Sequence, residues 1–135
     1  MISTKARYAL RVMTDLAGQE KNSYIPLKDI AIRQEISEKY LESILKTLVK
    51  GNILKGVRGK GGGYMLTRPP KDYTVGEIIE LTEGSLAPVA CLMPGARSCP
   101  RREKCATLPL WKKYGALTHD FFYNITLEDL INNNF

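Results

Sequence analysis

The sequence predicts a mainly α-helical fold with a small β-hairpin: a winged helix-turn-helix followed by a long C-terminal dimerisation helix. Two observations carry this prediction. Three blocks of apolar residues at helical spacing precede a strand, a glycine-rich turn and a second strand, and a further aromatic-rich helical stripe lies near the C-terminus. The 135 residues, 44% hydrophobic and 25% charged, have the composition of one folded domain or of a small domain with an appendage, and leave no room for two catalytic domains. No apolar run reaches the length of a membrane span, and Met1 to Lys5 lacks the apolar stretch of a signal peptide. The expected location is therefore cytoplasmic, with no membrane partner.

Thr4 can cap a first helix carrying Tyr8, Ala9, Val12, Met13 and Leu16, with Gly18 ending it in the left-handed conformation. A polar turn from Gln19 to Ser23 and an extended pair, Tyr24 and Ile25, lead to a second helix of barely two turns on Leu27, Ile30 and Ala31. Ser37 caps a third, whose apolar stripe is Tyr40, Leu41, Ile44, Leu45, Leu48 and Val49, closed by Gly51 and Asn52. Its opposite stripe, Lys39, Glu42, Ser43, Lys46 and Lys50, is polar. Ile53 to Arg58 and Tyr64 to Leu66 read as strands joined through Gly59 to Gly63, which puts Arg58 and Lys60 at the tip of a hairpin.

Thr74 and Glu77 form a capping box that opens a helix from about Val75 to Thr82, ended by Gly84. Ser85 to Lys104, interrupted by Pro88, Pro94, Gly95 and Pro100, reads as a loop. Thr107 and Pro109 start the next helix, with a stripe of Leu110, Trp111, Tyr114, Leu117, Phe121 and Phe122. Its steps of four, three and four resemble a heptad seam, and in so small a chain the expected partner is the same helix of a second subunit. Packing within its own chain is the competing reading. Thr126 caps a last short helix through Leu127, Leu130 and Ile131. The expected organisation is thus a winged helix-turn-helix with its following helix over 1–83, a cysteine-containing sensor loop over 84–106, and a dimerisation helix with a short terminal helix over 107–135.

Charge separates the two halves. The net charge of +6 is made of 13 Lys/Arg against 6 Asp/Glu up to Arg68, and of 7 against 8 beyond it. A local basic excess is the usual mark of a polyanion partner, because phosphate contacts dominate nucleic-acid affinity. In a winged helix the third helix enters the major groove and the wing reaches phosphates or the minor groove. A polar helix face is more often merely solvated, and a glycine cluster more often a plain turn. Helix order, hairpin and charge asymmetry agree, however, and together favour double-stranded DNA. The glycines end in no Gly-Lys-Ser/Thr and precede no helix, which argues against a phosphate loop. With no histidine near the cysteines and no acid pair at catalytic spacing, neither an enzyme nor a small-molecule substrate is expected.

All three cysteines fall in one irregular stretch, as Cys91-x7-Cys99-x5-Cys105. A flexible loop can aim several sulfurs at one point, which a metal centre needs. Structural zinc usually shows tighter cysteine pairs, whereas longer gaps are common around iron-sulfur clusters. A thiol switch beside Arg97, Arg101, Arg102 and Lys104 is a third option.

Lys5-Ala6-Arg7-Tyr8-Ala9, Ser37-Glu38-Lys39-Tyr40-Leu41-Glu42, Val57 to Tyr64, Val75-Gly76-Glu77-Ile78-Ile79 and Asn124-Ile125-Thr126-Leu127 together resemble the Rrf-two type of winged-helix transcription regulators, whose branches include IscR, NsrR, RirA and CymR. The resemblance covers nearly the whole chain. It implies a homodimer on palindromic promoter DNA, a repressor sensing iron, iron-sulfur or redox and nitrosative status through a bound cluster. By it, Lys39, Tyr40, Glu42 and Ser43 are recognition-helix positions and Arg58 is the wing residue in the minor groove; Lys46 on the same polar stripe and Lys60 at the hairpin tip join them as DNA-binding candidates. Cys91, Cys99 and Cys105 match the cluster cysteines, with a first gap similar to the RirA branch. IscR-like members carry a ligating histidine three residues after the last cysteine, where this chain has Leu108; NsrR-like members carry an aspartate where it has Tyr8. That leaves the fourth ligand unassigned. His119, the only histidine, reads as a surface or packing residue of the dimerisation helix. Three cysteines with an open fourth position suit a 4Fe-4S cluster more than a 2Fe-2S one. The alternative is a cluster-free, CymR-like regulator controlled by a protein partner, a metabolite or thiol oxidation.

Overall fold

A computed structural model describes Met1–Phe135 and gives the expected class, six helices with one two-stranded sheet. In chain order these are α1 (Thr4–Ala17), α2 (Leu27–Gln34), α3 (Glu38–Lys50), β1 (Leu54–Val57), β2 (Gly63–Leu66), α4 (Val75–Glu83), α5 (Leu108–Tyr123) and α6 (Leu127–Asn132). Three single 3₁₀ turns, Pro70–Asp72, Ala90–Leu92 and Arg102–Lys104, punctuate the connections. No helix is long and apolar enough to cross a membrane.

The cap of α1 differs from expectation. Ser3, in extended conformation, accepts from the Ala6 N–H at 3.1 Å, while Thr4 is already helical and its hydroxyl accepts from the Arg7 guanidinium. Serine at this position does the work that threonine was expected to do. Gly18 is also right-handed, at φ −84°, and donates to the Thr14 and Asp15 carbonyls; the left-handed residue of the connection is Asn22. Ser37 caps α3 as expected, accepting from Tyr40 N–H. At the other end Asn52 is left-handed, Ile53 N–H donates to Leu48 C=O and Asn52 N–H to Val49 C=O, the paired bonds of a Schellman ending.

One core unites the helices. Ala9, Val12, Met13 and Leu16 of α1 meet Ile30 and Ala31 of α2, Leu41, Ile44, Leu45 and Leu48 of α3, Ile78 of α4 and Leu127 of α6. The angle between α1 and α2 is further held by Arg33, whose guanidinium lies 2.8 Å from the nearly buried Asp15 carboxylate. A smaller cluster, Ala6, Val75, Ile79 and Ile125, joins α1 to α4 and the approach to α6, and Phe122 packs against it. Backbone bonds knit the same region, Val75 N–H donating to Ile125 C=O and Leu127 N–H to Tyr73 C=O.

The hairpin pairs Leu54 with Leu66 and Val57 with Gly63 in antiparallel register. Ile25 adds a short third edge, exchanging both backbone hydrogen bonds with Tyr64 at 2.9 and 2.8 Å. That approach explains Gly63: at φ +148° it lies where a Cβ would collide with the Ile25 carbonyl.

Candidate nucleic-acid interface and cysteine loop

The buried stripe of α3 fixes the orientation of its other face. With Leu41, Ile44, Leu45 and Leu48 locked in the core, Lys39, Glu42, Ser43 and Lys46 are all exposed. Tyr40, expected also on the apolar stripe, sits at its border instead: it is 36% exposed, with its ring edge-on to Tyr8 at 5.9 Å. Its position one residue before Leu41 rotates it about 100° away from the core centre. Lys46 and Glu42 lie 3.9 Å apart, an exposed pair of small energetic weight that an approaching phosphate can displace. The Ser43 hydroxyl donates to the Tyr40 carbonyl at 2.7 Å, leaving its oxygen lone pairs outward.

One basic residue of α1, Lys5, borders this face, and a second, Arg11, lies behind Tyr8 against α2; the sequence distinguishes neither. Lys5 Nζ donates to Thr47 Oγ1 at 3.0 Å, and the Arg11 guanidinium lies 4.8 Å over the Tyr8 ring while bonding to Gln34. On the helical wheel both look like ordinary solvated positions; only the packing of α1 on α3 and on α2 shows their neighbours, Thr47 and Gln34. At the hairpin tip, Arg58 and Lys60 are exposed and take part in none of the chain's ion pairs.

The root of the hairpin is pinned by Tyr73, a buried residue that sequence reading passed over. Its hydroxyl donates to the Ile53 carbonyl at 2.7 Å and accepts from the backbone N–H groups of Thr67 at 2.8 Å and Arg68 at 3.1 Å. Both strands are thereby tied to one atom. Arg68 stacks 4.3 Å over the Tyr73 ring and forks onto Glu77, at 2.5 and 3.1 Å, an arrangement that raises its already high pKa. This corrects the expected capping box. Thr74 does accept from Glu77 N–H, but the Glu77 carboxylate turns to Arg68 because a charge-assisted fork outweighs one backbone bond. Gly84 ends α4 in the left-handed conformation, as expected.

The three thiols are free, Cys91 and Cys99 exposed and Cys105 half-buried. No three ligating side chains of the chain converge on a point, so the loop as folded does not gather the cysteines. Their chemistry nonetheless suits a soft metal centre: unpaired thiols on irregular backbone, outside the core. At 3.4 Å the Thr107 hydroxyl meets Cys105 Sγ, and its bond, with nearby backbone N–H groups and Arg101, holds that thiol below its ordinary pKa. The loop's first part threads between α4 and α5. Leu86 packs on the Val75–Ile79 cluster, Pro88 stands against Gly115, and Leu92 and His119 share a cavity of about 300 Å³. His119 stacks on Tyr123 with ring centres 4.3 Å apart. Neither position noted for a fourth ligand supplies one: Tyr8 belongs to the α1–α3 contact and Leu108 opens α5.

α5 is built with its polarity reversed. None of its residues is buried, and its large apolar side chains, Leu110 (57%), Trp111 (37%), Tyr114 (54%), Leu117 (62%) and Phe121 (59%), point to solvent. The inward side is Leu108, Gly115, Thr118, Phe122 and Tyr123. Phe122 therefore leaves the expected stripe, for it lies one residue past Phe121 and rotates onto the inner cluster.

Comparisons with known proteins agree with this architecture. The chain is 37% identical to the HTH-type transcriptional regulator IscR of Pectobacterium atrosepticum, over 98% of this chain and 79% of that protein, and equally to IscR of Klebsiella pneumoniae over 80% of its length. Among solved structures it resembles CymR (YrzC), the global cysteine regulator of B. subtilis, with a TM-score of 0.79 and 32% identity over 98% and 97% of the two chains. It also resembles T. potens IscR, with a TM-score of 0.74 and 33% identity over 98% and 87%. A family profile described as "Rrf2: Iron-dependent Transcriptional regulator" matches residues 2–133, and the chain belongs to that family of non-enzymatic transcriptional regulators.

Proposed function

We propose that the chain works as a homodimeric, DNA-binding transcriptional repressor whose affinity for promoter DNA responds to an iron-sulfur cluster held by Cys91, Cys99 and Cys105. The observation that carries the DNA reading is the division of α3, one face fixed in the core and the other, Lys39, Glu42, Ser43 and Lys46, left outward, with Tyr40 at the border between them. Arg58 and Lys60 at the wing tip supply the second contact, on phosphates or in the minor groove. The outward stripe of α5, from Leu110 to Phe121, supports the pairing of two subunits.

Three cysteines and one open position suit a 4Fe-4S cluster. Bound there, the cluster would supply electron and ligand exchange at iron. The chain's own residues relay the state of the loop. Leu86 and Pro88 wedge the loop between α4 and α5, so gathering the three cysteines would act on a segment anchored at those contacts. α4 carries Glu77, which grips Arg68 at the wing root, and α5 carries the subunit contact. Loop order is thereby linked both to wing position and to the spacing of the two recognition helices, the differential contact that coupling requires.

A second reading, a cluster-free regulator governed by a partner, a metabolite or thiol oxidation, is favoured by the unconverged thiols and by the near full-length likeness to CymR. One spectrum separates the two. Protein purified without oxygen should be brown, with charge-transfer absorption that fades in air and is missing from Cys91→Ala. Colourless protein with one zinc per chain, or with no metal, would overturn the cluster reading.

A further inference from the structure

A cavity of about 340 Å³ lies between the end of α1 and the root of the wing, away from the cysteine loop and α5. Leu16, Ala17, Ile25, Tyr64 and Leu66 give it apolar walls, and Lys21, Ser23 and Lys55 stand on its polar side. We propose that it binds a small organic anion with an apolar body, such as an aromatic carboxylate.

The volume is at the lower end of ligand pockets, which run to roughly 300–1,000 Å³, and so fits a body of about one ring with a short polar arm. Charge selects the sign. Lys21 and Lys55 enter none of the chain's ion pairs, and the one acidic residue beside them is Glu20. Arg68 also borders the cavity, but its fork is spent on Glu77, which leaves the two lysines as the ammonium partners of a carboxylate. The walls come from the end of α1, the α1–α2 connection and β2, the last two held together by the Ile25–Tyr64 bridge. An occupant would touch the α1–α2 connection and strand β2 at once, and would thus brace the wing against α1. The site needs no cysteine and no second subunit, so it stands or falls independently of the cluster reading.

The test is an amide-resolved NMR titration of the ¹⁵N-labelled chain with phenylacetate, with phenethylamine as a control that keeps the ring and reverses the charge. Saturable shifts confined to residues 19–25 and 64–68 are expected for phenylacetate and absent for the amine. Lys21→Glu/Lys55→Glu should raise the apparent Kd at least tenfold with an otherwise unchanged spectrum, since both side chains are exposed. Cys91→Ala/Cys99→Ala/Cys105→Ala should leave it unchanged. No saturable shift with phenylacetate, equal binding of the amine, or an unaltered Kd in the double lysine variant would overturn the proposal.

Discussion

Replacing Leu117 and Phe121 by alanine should separate the dimer without unfolding the subunit. Both side chains are mostly exposed, at 62% and 59%, so their truncation costs the core little. Fully burying a leucine or phenylalanine side chain is worth roughly 1.5–3 kcal/mol. About three fifths of that remains to be gained at each position when α5 meets a partner, roughly 1–2 kcal/mol per side chain. Two residues on each of two subunits make roughly 4–8 kcal/mol, and with tenfold per 1.4 kcal/mol the dissociation constant should rise by about a thousandfold or more. Sedimentation equilibrium over a range of concentrations measures it, with far-UV circular dichroism confirming the helices. A native chain that is already monomeric at high micromolar concentration, or a double variant that dimerises as tightly as the parent, would refute the assignment of this stripe to the subunit contact.

Three further outcomes follow from the geometry. Arg58→Ala should weaken binding to a selected duplex by roughly 1–3 kcal/mol in a gel-shift titration if the wing arginine enters a groove, and an unchanged affinity would remove it from the interface. Tyr73→Phe leaves the Ile53 carbonyl and the Thr67 and Arg68 N–H groups without their shared partner, and should cost roughly 2–4 kcal/mol in urea denaturation at an unchanged slope; a loss under about 0.5 kcal/mol would contradict its role as the pin of the hairpin. Burial, reinforced by a hydrogen bond to Glu80, pushes the Tyr123 pKa up to about 12. Its proton is held longer in the folded state than in the unfolded chain, so stability must fall as pH rises from about 10 to 12. Tyr123→Phe should flatten that stretch of the profile and delete the last step of the tyrosinate absorbance titration.

Helix periodicity made α1, α3 and α4 legible, because each carries a continuous apolar stripe that packing merely completes. The ends were harder. Ser3 and Thr4 are chemically near-equivalent caps, and only the backbone of Thr4, already helical, decides between them. Glu77 has the spacing of a capping box, yet the competing partner, Arg68, is nine residues away in the connection after β2. Local spacing cannot foresee such a rival. The same holds for Tyr73: its position between Asp72 and Thr74 shows nothing of the three backbone groups its hydroxyl serves. Phe121 and Phe122 are equally large and apolar, yet one residue of helix turns a side chain by about 100° and so divides them between solvent and the inner cluster. The α3 face and the wing tip were readable as residue types, since exposure follows from which stripe is buried. The cysteine positions were readable too, but irregular backbone has no period from which their separation could be derived.

The loop that carries Cys91, Cys99 and Cys105 should govern DNA affinity. The direct measurement is an anaerobic fluorescence-anisotropy titration of one selected palindromic duplex, at fixed salt, against protein incubated with iron and sulfide and against the same protein without them. The native chain should show at least a tenfold difference in affinity, and Cys91→Ala none. Equal affinity of the two native preparations, or a difference that survives in Cys91→Ala, would contradict it.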